Sequence, residues 1–164
     1  MTARAPDLRI LVCGTADRGD DGAALAAISH VLPELPDVLR CRIEVRRCPQ
    51  LDVTDLLDIG IGESCIVIDT VLGVEPGQTV TMSLDDLARR PAGVAPRSSH
   101  ALSAGDALLI AEAVRGTLPV GTFVGIGGKW FGYGERYSRV VKAGLPRFAV
   151  AIRGAIEDLL TITL

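Results

Sequence analysis

The chain has 164 residues, of which 48% are apolar and 23% charged, with a formal net charge of −3. That length suits one domain with a real core. The apolar share excludes disorder, and the acidic balance argues against a nucleic-acid-binding surface. No apolar run approaches the roughly 18–20 residues of a membrane span. The opening "MTARAPD" lacks an apolar core of signal-peptide length, so a cytoplasmic protein with no membrane partner is expected.

"LRILVCG" (8–14) reads as a first, buried strand. A helix is predicted over 21–32, "DGAALAAISHVL", stopped by "PELP". "RIEVRRC" (42–48) alternates apolar and charged residues, as a half-exposed strand near a sheet edge does. "LDVTDLLDIG" (51–60) reads as a short helix ended by glycine. "CIVIDTV" (65–71) is a continuous apolar run interrupted only by Asp69, which suits a central parallel strand. "GQTVTMSL" (77–84) reads as a short edge strand, and 87–103 as irregular chain rich in Pro, Ala and Ser. "SAGDALLIAEAVRG" (103–116) is an amphipathic helix with a glycine stop. "GTFVGIGG" (121–128) is the last strand, and a long helix that Pro146 could break covers 138–160.

Strands alternate with helices throughout. The pattern predicts a single-domain α/β three-layer sandwich over residues 1–164. Its sheet is mainly parallel, twisted and five-stranded, with helices on both faces and one antiparallel edge strand. Functional groups in such sheets gather at the carboxyl ends of the strands. Three features reach that rim. The turn after the first strand carries Asp17, Asp20 and Asp21. The third strand carries Asp69, and "SSHALS" carries His100. Asp21, Asp69 and His100 are therefore expected to converge. Two carboxylates and an imidazole suit zinc, manganese, iron or nickel, with positions left open for water or substrate.

Simpler readings stand beside this one. Asp20 is placed to cap the helix that starts near Asp21, and capping needs only one side chain. A carboxylate in "CIVIDTV" is costly to bury unless it is paired or reaches the rim. His30 lies mid-helix and reads as structural. Cys13 and Cys65 fall inside predicted strands as small apolar residues. Cys41 and Cys48 flank a strand at a spacing that matches no zinc pattern. The glycines of "GTADRGDDG" fit neither a dinucleotide fingerprint nor a phosphate loop, and no G-x-S-x-G elbow is present.

"ILVCGTADRGDDGAALAA" resembles the opening of the hydrogenase maturation proteases, cytosolic endopeptidases that trim the C-terminus of the nickel-iron hydrogenase large subunit. That opening is a strand, then G-N, four variable residues, and an acidic pair ending in glycine. Here it becomes Gly14, Thr15, then Ala16 to Gly19, then Asp20, Asp21 and Gly22. "IVIDTVLGVEPGQTVTM" resembles the family's strand aspartate, P-G turn and edge strand. "SSHALSAGDALLIAEA" resembles its histidine before a helix. The closing strand, loop and helix resemble "VGIGGKWFGYGERYSRVVKAGLPRFAVAIRGAIEDL".

The resemblance covers almost the whole chain. It implies a catalytic and metal-binding set of Asp21, Asp69 and His100. The metal it implies is nickel already inserted in the substrate precursor, with no organic cofactor. Thr15 departs from the family's Asn, and "GIGGKW" stands where the family has an acidic or amide residue and a proline near Lys129. Two other readings remain at this stage. A phosphoacceptor receiver domain would use Asp20/Asp21, Asp69 and Lys129 in the same order. An inactive paralogue would bind a metalloenzyme subunit without cutting it.

Overall fold

All six positions of β1 (Leu8–Cys13) are buried, the state expected of an apolar strand with helices over both faces. The computed structural model describes residues 6–91, 93–99, 102–134 and 136–162. Among these residues one sheet contains β1, β2 (Ile43–Cys48), β3 (Ser64–Pro76), β4 (Thr79–Ser83), β5 (Arg97–Ser98) and β6 (Gly121–Gly127). The order is β2-β1-β3-β6-β4, and β5 pairs with β3. β2, β1, β3 and β6 run parallel. β4 lies antiparallel on β6 and β5 antiparallel on β3.

Side-chain alternation along the strands builds the two apolar layers. Leu8, Ile10, Val12, Ile66, Ile68, Val124 and Ile126 face α1 (Ala23–Glu34) and α6 (Arg139–Ile162). Leu11, Cys13, Cys65, Val67, Val71 and Phe123 face the other way, toward α3 (Val53–Leu57), α4 (Leu84–Arg89) and α5 (Ala104–Arg115). The three-layer architecture is therefore the expected one. Among the described residues no helix is long and apolar enough to cross a membrane.

The structure differs from the sequence reading in several places. The sheet has six strands rather than five, because Arg97 and Ser98 leave the expected irregular stretch to pair with Leu72 and Val71. α4 was not expected either: Leu84 was placed in the edge strand and 87–89 in the irregular stretch. Ser83 caps it by accepting the Asp86 N–H at 3.0 Å, and Leu84, Leu87 and Ala88 supply its buried side. One further turn of helix, α2 (Asp37–Arg40), follows "PELP".

Pro146 does not break α6, which is continuous over Arg139–Ile162. Phe148, Ile152 and Ile156 are fully buried at four-residue spacing, and that packed stripe holds the helix across the missing N–H. The same helix presses on the P-G turn between β3 and β4. Gly77 sits there at φ +82°, and a Cβ on it would strike the Val140 carbonyl.

Candidate functional site

β1 delivers the chain to the rim at Gly14. This glycine has φ +118°, and a Cβ on it would collide with the Asp21 carbonyl oxygen. The close approach brings the turn back over the strand end, where Gly19–Gly22 form one turn of 3-10 helix. Asp20 and Asp21 are both fully buried there. The Asp21 Oδ2 accepts the Thr15 N–H at 2.9 Å and the Thr15 hydroxyl at 3.2 Å. Thr15 thus anchors the Asp21 carboxylate to the first residues after β1.

Asp20 does not cap α1, contrary to the expectation from sequence. The residue before α1 is Gly22, and no side chain caps that end. Asp20 turns instead toward the loop between β6 and α6. Its Oδ2 accepts the backbone N–H groups of Lys129 (2.9 Å) and Trp130 (2.8 Å) and the Ser138 hydroxyl (2.8 Å). Its Oδ1 accepts the Ser138 N–H at 2.7 Å. Four donors offset the cost of burying this carboxylate. Backbone bonds lace the same two segments. The Gly19 N–H donates to Gly134, the Asp20 N–H to Trp130, and the Gly134 N–H to Asp17.

Asp69 is 3% exposed and lies in β3 opposite Gly125 of β6. Burial, and then the neighbouring Asp21 charge, push its carboxyl up to about 8, against the opposing Thr70 N–H. That N–H donates to the Asp69 Oδ1 at 2.8 Å. The Thr70 hydroxyl donates to the Asp20 carbonyl at 2.9 Å, tying β3 to the 3-10 turn. Asp69 consequently holds its proton at neutral pH while sitting beside Asp21.

His100 lies outside the described residues. On one side of it, β5 ends at Ser98, paired to Val71 only two positions beyond Asp69. On the other side, Ser103 caps α5 by accepting the Asp106 N–H at 3.1 Å. His30 is on the exposed side of α1, 3.6 Å from Glu34, and away from the rim. Cys13, Cys48 and Cys65 are buried and Cys41 is exposed, all as free thiols. Cys13 faces Cys48 across β1 and β2, whereas Cys41 precedes the other end of β2. Burial pushes the Cys48 and Cys65 thiols up to about 12, so neither is poised as a nucleophile.

By sequence, no family model and no curated protein matches the chain. Its structure is similar to solved ones. The [NiFe] hydrogenase maturation protease HybD from Thermococcus kodakarensis superposes with a TM-score of 0.65 at 25% identity, over 90% of this chain and 98% of that one. The hydrogenase maturating endopeptidase HybD from E. coli gives 0.70 at 17% identity, over 92% of each chain. The [NiFe] hydrogenase maturation protease HycI from Thermococcus kodakarensis gives 0.60 at 16%, again over 92% of each.

The chain shares the fold of the hydrogenase maturation proteases along nearly its whole length. The solved structures that it resembles are those of peptidases. The receiver reading fails on the geometry around Asp20 and at the sheet edge. A receiver would keep its acidic pair open at the strand end, but here Asp20 is committed to four bonds within the protein. Lys129 contributes its backbone N–H to one of them. β4 also runs antiparallel at the sheet edge, where a receiver alternates strictly.

The sequence reading missed the residues that support the aspartates at this rim. Thr70 and Ser138 were not singled out, and Thr15 was noted only as a departure from Asn. One signal was present. Ser138 directly precedes α6, and its carbonyl accepts the Lys142 N–H, the place where a capping serine is expected. Nothing local marked Asp20 as its partner, 118 residues away.

Proposed function

We propose that this chain is a protease that removes the C-terminal extension of the nickel-iron hydrogenase large-subunit precursor after nickel insertion. Asp21, Asp69 and His100 would engage the nickel that the precursor carries, and the reaction is assigned to the cytoplasm. The observation that carries the reading is the adjacent Asp21–Asp69 pair, buried at the strand rim, with Asp69 pushed up to about 8. Two carboxylates sharing a site are costly to ionise together, and an arriving cation removes that cost.

Each residue then has a task. Thr15 fixes the Asp21 carboxylate. Asp69 releases its proton as the metal approaches, because a ligating carboxylate must be ionised. Asp20 holds the adjoining loop. The nickel would polarise the scissile carbonyl or activate a water.

Mass spectrometry of nickel-loaded and nickel-free precursor, each mixed with the purified chain, tests the proposal. The loaded precursor is expected to lose its extension and the nickel-free one to stay intact. Equal cleavage of both sinks the nickel-reading step. Binding without loss of mass favours a non-cutting binding module.

The Thr15 departure can be tested separately. Thr15→Val keeps the backbone bond to Asp21 and loses the hydroxyl bond. The expected result is a drop in kcat/KM of about threefold to tenfold, with less than about 1 kcal/mol lost in stability. Steady-state cleavage kinetics and urea unfolding give both numbers. Unchanged kinetics would mean that the Thr15 N–H alone sets Asp21.

A further inference from the structure

Beside the loop that Asp20 holds is a pocket lined by Lys129, Trp130, Arg136, Ser138 and Arg139. Three of these residues are cationic, no described acidic residue lines the pocket, and all three cations are exposed. Among the described residues none of the three makes an ion pair. Glu135 lies outside the described residues. In a chain of net charge −3, such a grouping is a local inversion of sign.

Arg139 also opens α6, and a cation is disfavoured at that end of a helix. The first turn of α6 holds no acidic residue to balance it. A local rule broken without internal compensation points to a use outside the protein. The Lys129, Trp130 and Ser138 N–H groups and the Ser138 hydroxyl are already taken by Asp20. The groups left to meet a ligand are the charged side chains and the Trp130 ring, which is 45% exposed. Guanidinium groups pair with carboxylates or phosphates through two parallel bonds, and a peptide segment offers carboxylates.

We propose that this pocket binds an acidic segment of the precursor flanking the scissile bond, so that Lys129, Arg136 and Arg139 set where the chain lies across the site. The inference rests on the proposed precursor substrate and adds the chemistry of its docking. Asp20 connects the pocket to the site. Asp20 bonds to Lys129, Trp130 and Ser138, and its neighbour Asp21 lies beside Asp69.

The test measures the affinity of nickel-free precursor by titration calorimetry, apart from cleavage. Arg136→Glu/Arg139→Glu is expected to weaken binding about tenfold or more and to flatten its salt dependence. The neutral pair Arg136→Gln/Arg139→Gln, with an unchanged unfolding midpoint, guards against a folding defect and should show a smaller loss. Wild-type binding should weaken similarly when the acidic residues flanking the scissile bond become Asn or Gln. The two changes together should then add little, as for partners in one contact. Affinities within about twofold of wild type for both Arg pairs would overturn the pocket. No complex at all with wild type would overturn the pocket together with the precursor reading. A complex that forms without cleavage would overturn only the cutting activity.

Discussion

Asp69→Asn is expected to lower kcat/KM for precursor processing by at least about 100-fold while the fold stays intact. The amide keeps an oxygen for the Thr70 N–H, which lies 2.8 Å from Oδ1. It cannot supply the negative charge that the proposed metal engagement needs. Stability should move the other way, and the sign follows from the pKa. The Asp69 carboxyl rises from 3.8 to about 8 on folding. Between those pH values the folded chain therefore holds a proton that the unfolded chain has lost. Stability from this residue is intact below about pH 4, falls as pH rises, and is fully lost above about pH 8. Asn does not titrate, so the variant lacks this slope. At pH 7 it should exceed wild type by a few kcal/mol. Urea unfolding of both proteins from pH 4 to pH 9 would show it. Parallel pH profiles, or full cleavage of nickel-loaded precursor by the variant, would contradict the role given to Asp69.

Asp20→Ala is expected to destabilise the chain by about 3–5 kcal/mol, the largest stability loss of any single change at the rim. It strands three backbone N–H groups and the Ser138 hydroxyl in a part-buried loop. It also releases the segment that runs from β6 to α6. Asp20→Asn should lose less, because its oxygen can take the Oδ2 place and keep three of the four bonds, while its NH2 group faces the Ser138 N–H. The chain has one tryptophan, and Trp130 lies in this loop with its backbone N–H bonded to Asp20. Its emission should shift to the red in both variants before global unfolding. An unchanged urea midpoint together with unchanged emission would show that Asp20 is not what holds the loop.

The acidic pair shows how far local sequence could be read. "DRGDDG" offered two adjacent carboxylates and a helix, and capping was the nearest available partner for Asp20. The partners it found are 109 to 118 residues away. A helix end is visible in a short window, but a ring of backbone donors from a distant loop is not. Asp69 was legible because a carboxylate in a buried strand demands a reason. Thr15 and Thr70 carried no such demand, since a threonine near a turn is ordinary until its hydroxyl is seen to bond a specific oxygen. The missed β5 and α4 have the same cause. A two-residue strand has no period of its own, and the proline-rich chain beyond α4 masked a capped helix whose apolar side needed α5 to cover it.

By itself the sequence determined the alternation of strands and helices, the buried strands β1, β3 and β6, and the rim as the place for the acidic residues. Hydrophobic period and length specify these directly, because burying apolar side chains dominates the energetics of each element. Only the tertiary structure decided which aspartate faces which neighbour. Side-chain partners depend on loops closing over long sequence separations. At this rim the N–H groups of Lys129, Trp130 and Ser138 bind Asp20 into the frame, and Asp21 is left beside Asp69 in the site.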